Sequence, residues 1–329
     1  MWQPNTPLSE DCLFLNIWVP ILPEEQRCEK DKKLPVMVWI FGGSFSTGSS
    51  VLSVYDGRFL STRQNVIVVT VNYRLGPFGF LYLNYSGAPG NMGLWDQRLA
   101  LKWVKDNIEH FNGDPDRITL FGESAGSVSV SAHVVSPWSH SFFRNAILQS
   151  GSVFGYWGVE TAQKQLNTSL RLLDLVGCGG RSGEDLHACL QLKPSSAFID
   201  AQNNLYDPYA YLSIPFPPVL DGHFLPYTTS QSFRENETLT MDPNALPVHT
   251  HSEYLKALYK VLDMHGDDRP DLLEPLIVLT DFEYQDYTHL VSTTFSLSHM
   301  CMIMVLCRNS TYILAKSPDT CIADVSATA

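Results

Sequence analysis

The run Ile118-Thr119-Leu120-Phe121 enters Gly122-Glu123-Ser124-Ala125-Gly126 and leaves it through Ser127-Val128-Ser129-Val130-Ser131-Ala132-His133-Val134, and this junction constrains the fold more than any other part of the chain. The short apolar entry reads as a buried strand and the small-residue exit as a helix. A Gly-x-Ser-x-Gly pentapeptide between the two forces a tight strand-to-helix turn with the serine at its tip. The flanking glycines permit the strained backbone and its close packing. Serine is a weak nucleophile at its own pKa. Exposed on such a turn, Ser124 is open to a base, and the N–H of Ala125 is available to hold a developing oxyanion.

The rest of the front half repeats the strand signal. Residues 35–41, 65–72, 118–122 and 145–149 are short apolar or β-branched runs bounded by glycine or polar residues, alternating with helical patterns, and this rhythm predicts a central, mostly parallel sheet flanked by helices. Between the second and third runs, Trp95, Leu99, Trp103 and Val104 recur at a spacing that puts them on one helical face. That helix is expected to stop near Asn112-Gly113, with Asp114-Pro115 turning into the next strand. Later pieces, residues 161–176 and 252–264, also read as helices, interrupted by Pro215, Pro217 and Pro218. Past about Asp281 no period can be read, and residues 298–329 look like an aberrant tail.

A second loop bears on the same chemistry. Trp39-Ile40-Phe41-Gly42-Gly43-Ser44-Phe45 ends a strand with backbone free to approach a substrate, so Gly43 and Ser44 join Ala125 as candidate oxyanion donors, with Ser44 an unusual side chain in such a loop.

These motifs, together with Ser9-Glu10-Asp11-Cys12-Leu13-Phe14-Leu15-Asn16-Ile17-Trp18, Asn72-Tyr73-Arg74, Gly90-Asn91-Met92-Gly93-Leu94-Trp95-Asp96-Gln97 and Gln149-Ser150-Gly151, resemble the cholinesterase and type-B carboxylesterase family over residues 2 to about 233. The resemblance implies an α/β-hydrolase fold, shortened at both ends, and ester hydrolysis through an acyl-Ser124 intermediate. It also implies substrate-binding roles. Trp2 sits where cholinesterases place the tryptophan that faces the choline ammonium, an attraction of ~0.5–2 kcal/mol; Glu123 and Tyr55 match further residues near that cation. Trp157 and the segment Leu212-Ser213-Ile214 match the acyl pocket, and Leu212 and Ile214 leave room there for acyl groups larger than acetyl.

The chain departs from this pattern behind the elbow. The family's triad acid follows the stretch that resembles Asp221-Gly222-His223-Phe224-Leu225-Pro226, yet residues 232–237 run into other sequence, so an internal deletion near 233–237 is expected. His265 is followed by Gly266 as the family's base is, but then by Asp267-Asp268-Arg269-Pro270; His249, His251, His289 and His299 have no supporting context. Residues 1–285 thus read as a partial esterase domain and 286–329 as a tail without resemblance. Two further readings stay open: a non-catalytic adhesion protein on the same fold, and a general carboxylesterase without choline preference.

Cys178 and Cys189 flank a Gly-rich polar loop as a short extracellular disulfide does, at the family's spacing, and the seven cysteines leave at least one without a partner in the chain. Cys12 lacks the upstream cysteine that the resemblance would pair it with. Sequons at Asn84, Asn167, Asn236 and Asn309 point the same way, to a secreted or cell-surface glycoprotein. No run approaches the ~20 apolar residues of a membrane span, and the first residues are no signal peptide. The formal charge of −12 argues against nucleic acid and suits a cationic ester. No cofactor or metal is called for, and homo-oligomerisation is left open.

Overall fold

A computed structural model describes residues 5–21, 33–155, 157–207 and 213–225, together with the backbone of three later strands. The strands are β1 (Leu15–Trp18), β2 (Leu34–Ile40), β3 (Ile67–Val71), β4 (Tyr82–Tyr85), β5 (Ala88–Pro89), β6 (Gly113–Glu123), β7 (Asn145–Gln149), β8 (Leu276–Val278), β9 (Met302–Cys307) and β10 (Ser310–Ala315). The helices are α1 (Arg58–Gln64), α2 (Gly76–Phe80), α3 (Met92–Asn107), α4 (Ala125–Val135), α5 (Ala162–Leu175), α6 (Gly183–Gln191) and α7 (Ser195–Leu205). Eight strands form one sheet in the order β1-β3-β2-β6-β7-β8-β9-β10, while β4 and β5 make a separate hairpin.

The sheet is parallel from β3 through β8 and antiparallel at both ends. Its centre is buried on both faces: every residue of Ile67-Val68-Val69-Thr70-Val71 is inaccessible, as are Val36, Val38 and Ile40 on β2 and Ile118 and Leu120 on β6. Such continuous burial is what a parallel sheet covered by crossover helices requires. Helix α1 connects β2 to β3, and α4 connects β6 to β7.

The sequence landmarks meet in space. Asn72 donates from Nδ2 to the Cys12 carbonyl at 2.9 Å and accepts from the Ser50 N–H at 2.9 Å. Arg74 clamps Asp96 through Nε and Nη2, both at 2.7 Å, and its own N–H adds a third bond at 3.1 Å. A bidentate guanidinium–carboxylate pair whose acid side chain is 8% exposed fixes geometry as well as charge, so it locks the end of β3 to α3.

The expected face of α3 is corrected. Its buried residues are Gly93, Leu94, Gln97, Leu101 and Val104. Of the four bulky residues assigned to one face, Val104 is in the core and Trp95 packs part-buried against it, whereas Leu99 is 64% and Trp103 39% exposed. A polar residue, Gln97, occupies the core face because it bonds Ser129 and His133 there. The helix tightens into a 3-10 turn, Ile108–Phe111, and is capped by Asn112 at φ 64°, close to the predicted stop. Strand β6 already starts at Gly113, so Asp114-Pro115 lies inside it, next to the register shift opposite Leu34 and Val36. The predicted helix at 161–176 is α5, with Thr161 capping it through the Lys164 N–H. The helix expected at 252–264 falls outside the described residues. Strands β9 and β10 lie where no period was legible.

Candidate active site

Strand β6 delivers Ser124 to the end of the sheet, and α4 starts on the next residue. Ser124 holds φ 54°, ψ −122°, a conformation that costs an L-residue about 1–3 kcal/mol and persists only where the surroundings impose it. Here they do. The Ser124 N–H is bound to the Gln149 carbonyl at the end of β7 (2.8 Å), and its own carbonyl accepts the Val128 N–H (3.0 Å).

Four glycines make the approach possible. A Cβ on Gly126 would lie 2.1 Å from the Ile40 carbonyl oxygen, and one on Gly122 2.6 Å from the backbone of Gly126. On Gly42 it would meet the Glu123 carbonyl at 2.4 Å and the Ser124 Cβ at 3.1 Å; on Gly151, the Ser124 carbonyl at 2.5 Å. The elbow and the loop after β2 are therefore in contact at Gly42, with Gly43 and Ser44 next along that loop.

That loop turns through Gly43 (φ 119°), Ser44 (φ 55°) and Phe45 (φ 55°). The Gly43 carbonyl accepts from the N–H groups of Ser46 and Thr47, both at 3.0 Å. Phe45 is fully buried with its ring edge-on to Phe80, and its carbonyl accepts from Gly76 N–H at 2.6 Å. At the loop's start, Tyr73 donates to the Phe41 carbonyl at 2.7 Å and stacks on its ring. Among the described residues the amides of Gly43 and Ser44 have no acceptor, and Ala125, first residue of α4, has none within its helix. An N–H group left without an acceptor in this way is of the kind that can receive an anionic oxygen.

Tyr55 and Glu123 lie close together although 68 positions separate them in sequence. The Tyr55 hydroxyl is pushed up to about 12, first by burial and then by the Glu123 carboxylate. Trp39 packs between Tyr55 and Phe121, at ring-centroid distances of 5.2 and 4.8 Å, so the three rings form one cluster whose Tyr55 feels the Glu123 charge. Sequence reasoning missed Trp39. Its signal was a tryptophan near the end of an otherwise aliphatic strand, three residues before the first glycine of the Gly-Gly loop. Trp157 and Ile214 are part-buried against the core; Trp2 and Leu212 fall outside the described residues.

No described histidine bonds the Ser124 hydroxyl. His133, on α4, is fully buried and held at both nitrogens: Nδ1 by Ser139 Oγ at 2.8 Å, Nε2 by Gln97 Oε1 at 3.0 Å. Burial, aided by the Arg98 charge, pushes its pKa down to about 3, so the ring is neutral and structural. His249, His251, His265, His289 and His299 are outside the described residues.

Cys178, shortly after α5, and Cys189, within α6, form a disulfide, both cysteines buried. Cys12 is a free thiol, its pKa raised by burial and then by Asp96 and Asp11. Asn84 is exposed within β4 at φ 57°; Asn167 is exposed on α5, while Ser169 of the same sequon is buried and accepts the Tyr82 N–H. Asn236 and Asn309 are not described. Among the described residues no helix is long and apolar enough to cross a membrane.

A strained serine on a strand-to-helix turn, at the end of a mostly parallel sheet and packed against a Gly-Gly loop, has the form of a nucleophile elbow on the α/β-hydrolase fold. The chain belongs to the carboxylesterase family, whose sequence model matches residues 2–295. Among curated relatives it is 48% identical over 229 residues to an acetylcholinesterase of Danio rerio (69% of this chain, 35% of that protein). It is 46% identical over 235 residues to a cholinesterase of Mus musculus (70% and 38%), and 45% identical over 248 residues to acetylcholinesterase 4 of Caenorhabditis briggsae (75% and 39%). The chain spans less than two-fifths of the length of these relatives.

Proposed function

We propose that this chain carries the nucleophile half of a serine carboxylic ester hydrolase acting on choline esters. The observation that carries it is the elbow: Ser124 at φ 54°, ψ −122° between β6 and α4, with the loop after β2 in contact with it at Gly42; in this reading Gly43, Ser44 and Ala125 supply the oxyanion amides. In this reading Ser124 Oγ attacks the ester carbonyl, and the oxygen that becomes anionic is received by the three amides. The alcohol leaves, and water then releases the acyl group. The base that takes the serine proton, and the acid that orients it, come from outside the described residues. The departure near 233–237 is read as loss of the segment that holds that acid.

Choline specificity is supported by the nearness of the Glu123 carboxylate to Tyr55 of the Trp39–Tyr55–Phe121 cluster, by the match of Trp2, and by the names of the relatives. Ile214, with Leu212, favours acyl groups larger than acetyl. The buried disulfide and the exposed Asn84 and Asn167 support passage through an oxidising secretory compartment.

The experiment is hydrolysis of acetyl- and butyrylthiocholine by a form of the protein completed with the missing triad segments. We expect butyryl turnover at least equal to acetyl, and a loss of about 1,000-fold or more on Ser124→Ala. Hydrolysis that survives Ser124→Ala refutes the assignment of the nucleophile; strict acetyl preference refutes the acyl reading.

A further inference from the structure

Two of the sequons lie among the described residues, and they sit on elements that touch. Asn84-Tyr85-Ser86 runs from β4 into the hairpin turn, and Asn167-Thr168-Ser169 lies inside α5, which packs on β4. Both asparagines are exposed, so the exposure of the asparagine does not separate the two sites. The third residue does. Ser86 is exposed in the turn. Ser169 is fully buried, and its Oγ accepts the Tyr82 N–H at 3.1 Å.

When a sequon is glycosylated, the asparagine Nδ2 attacks the anomeric carbon of an oligosaccharide joined to a lipid through pyrophosphate. The bond from that carbon to the pyrophosphate oxygen breaks, the lipid pyrophosphate leaves with the electron pair, and the amide gives up one proton. The hydroxyl two residues on is part of the recognised unit, so the transferring enzyme must hold both side chains at once. Successive helical residues turn by about 100°, which sends residues i and i+2 to nearly opposite sides of a helix. In α5 this sets Asn167 in water and Ser169 in the core, beside the other buried residues Gln165, Leu172 and Leu173. Gln163 Nε2 also donates to Asn167 Oδ1 at 3.2 Å. Reaching the Ser169 hydroxyl therefore requires α5 to unwind and leave β4. No such obstacle stands at the hairpin, where Asn84 and Ser86 are both in water.

We propose that the two sequons belong to different stages of folding: Asn84 accepts a glycan on the finished fold, whereas Asn167 accepts one only before α5 docks on β4. The hydrogen bond from the Tyr82 N–H to Ser169 closes the second site, and the same contact anchors the hairpin that presents the first. A glycan already on Asn167 does not hinder docking, because the asparagine itself stays in solvent. The proposal takes its biological setting from the secretory reading above, while the geometry beneath it is independent of that reading and of the esterase assignment.

The test gives the intact chain, made without glycans, a purified oligosaccharyltransferase and a lipid-pyrophosphate-linked oligosaccharide. One sample is folded, as checked by circular dichroism, and one is reduced and carboxymethylated; mass spectrometry of tryptic peptides reads both sites in each. In the folded chain the reaction at Asn167 must wait for local opening of α5, so it should run about 30-fold or more slower than at Asn84. In the unfolded chain only local sequence remains, and the two rates should agree within about fivefold. A second measurement blocks the transferase during translation into microsomes and lifts the block afterwards: Asn84 should fill, and Asn167 should stay at about a tenth or less of its unblocked occupancy. Equal recovery of the two sites overturns the proposal, as does reaction of Asn167 within about threefold of Asn84 in the folded sample. A large difference that persists in the unfolded chain also overturns it, since local sequence and not the fold would then be the cause. Both sites bare in chain secreted from animal cells, with the purified reaction as expected, would refute the secretory reading and leave the proposal standing.

Discussion

Replacing Gly126 with alanine probes the contact on which the elbow depends. The added Cβ would lie 2.1 Å from the Ile40 carbonyl oxygen and 2.9 Å from the Phe41 carbonyl carbon. Non-bonded heavy atoms settle at ~3.5 Å, so helix and strand must separate by about 1 Å. Neither obstacle is the mobile end of a side chain. Ile40 sits in β2 between Val71 of β3 and Gly122 of β6, and moving it disturbs both ladders. Overpacking a core typically costs about 1–3 kcal/mol, and a collision with backbone belongs at the upper end. Alanine returns up to about 1 kcal/mol through its helix propensity. The expected net loss is ~2 kcal/mol, a large part of the ~5–15 kcal/mol that holds a domain together. Urea unfolding followed by tryptophan fluorescence and circular dichroism measures it as a shift of midpoint at constant slope. An unchanged or raised midpoint would show that α4 and β2 are not in the contact described, and with it the account of how Ser124 is held would fail.

Ser44→Gly removes a side chain from φ 55°, where an L-residue is penalised by about 1–2 kcal/mol, while adding freedom to the unfolded chain worth about 0.4–1 kcal/mol. A stability equal to the parent or raised by up to about 1 kcal/mol is expected in the same urea assay, and Ser44→Val should be less stable than either. For His133 the sign follows from a folded pKa of about 3, below the ~6.5 of the unfolded chain. Its contribution is complete above pH ~6.5 and is lost as pH falls towards 3, at up to ~1.4 kcal/mol per unit. His133→Gln should flatten the fall in urea midpoint between pH 7 and 5; a parallel fall in both proteins would contradict the buried neutral ring. Replacing Cys178 and Cys189 by serine opens an 11-residue separation and should cost about 2–3 kcal/mol, read as a lower thermal midpoint.

The elbow, the loop at Gly42–Ser44 and the four central strands were legible because each is a local pattern: a glycine pair, an apolar run, a period of two or of 3.6. The core face of α3 was not. Side-chain bulk pointed to Leu99 and Trp103, whereas the face that packs contains Gly93 and Gln97. A glutamine belongs in a core only if its partners are there, and Ser129 and His133 lie more than 30 positions downstream. The nearness of Tyr55 to Glu123 was carried by the resemblance alone, since no local spacing joins residues brought together by β2 and β6. The tail strands β9 and β10 escaped because Met302–Cys307 is a uniformly apolar run whose length fits strand or helix equally.

Helix α4 holds to its surroundings through hydroxyl groups. Ser127 Oγ donates to the Gly151 carbonyl at 2.6 Å, Ser131 Oγ accepts from the Val153 N–H at 3.2 Å, and Ser129 Oγ accepts from Gln97 at 3.0 Å while donating to the Ala125 carbonyl. Serine and valine are poor helix formers, so this segment has little tendency to coil before those partners arrive. Two of the partners belong to the loop after β7, more than 20 residues later in the chain. The order of events in folding is thereby set: β7 must dock and its loop close before α4 is stable. The strained conformation of Ser124 is then acquired late, and any opening that frees residues 150–153 relaxes it first, leaving the sheet intact but the Ser124 hydroxyl out of place.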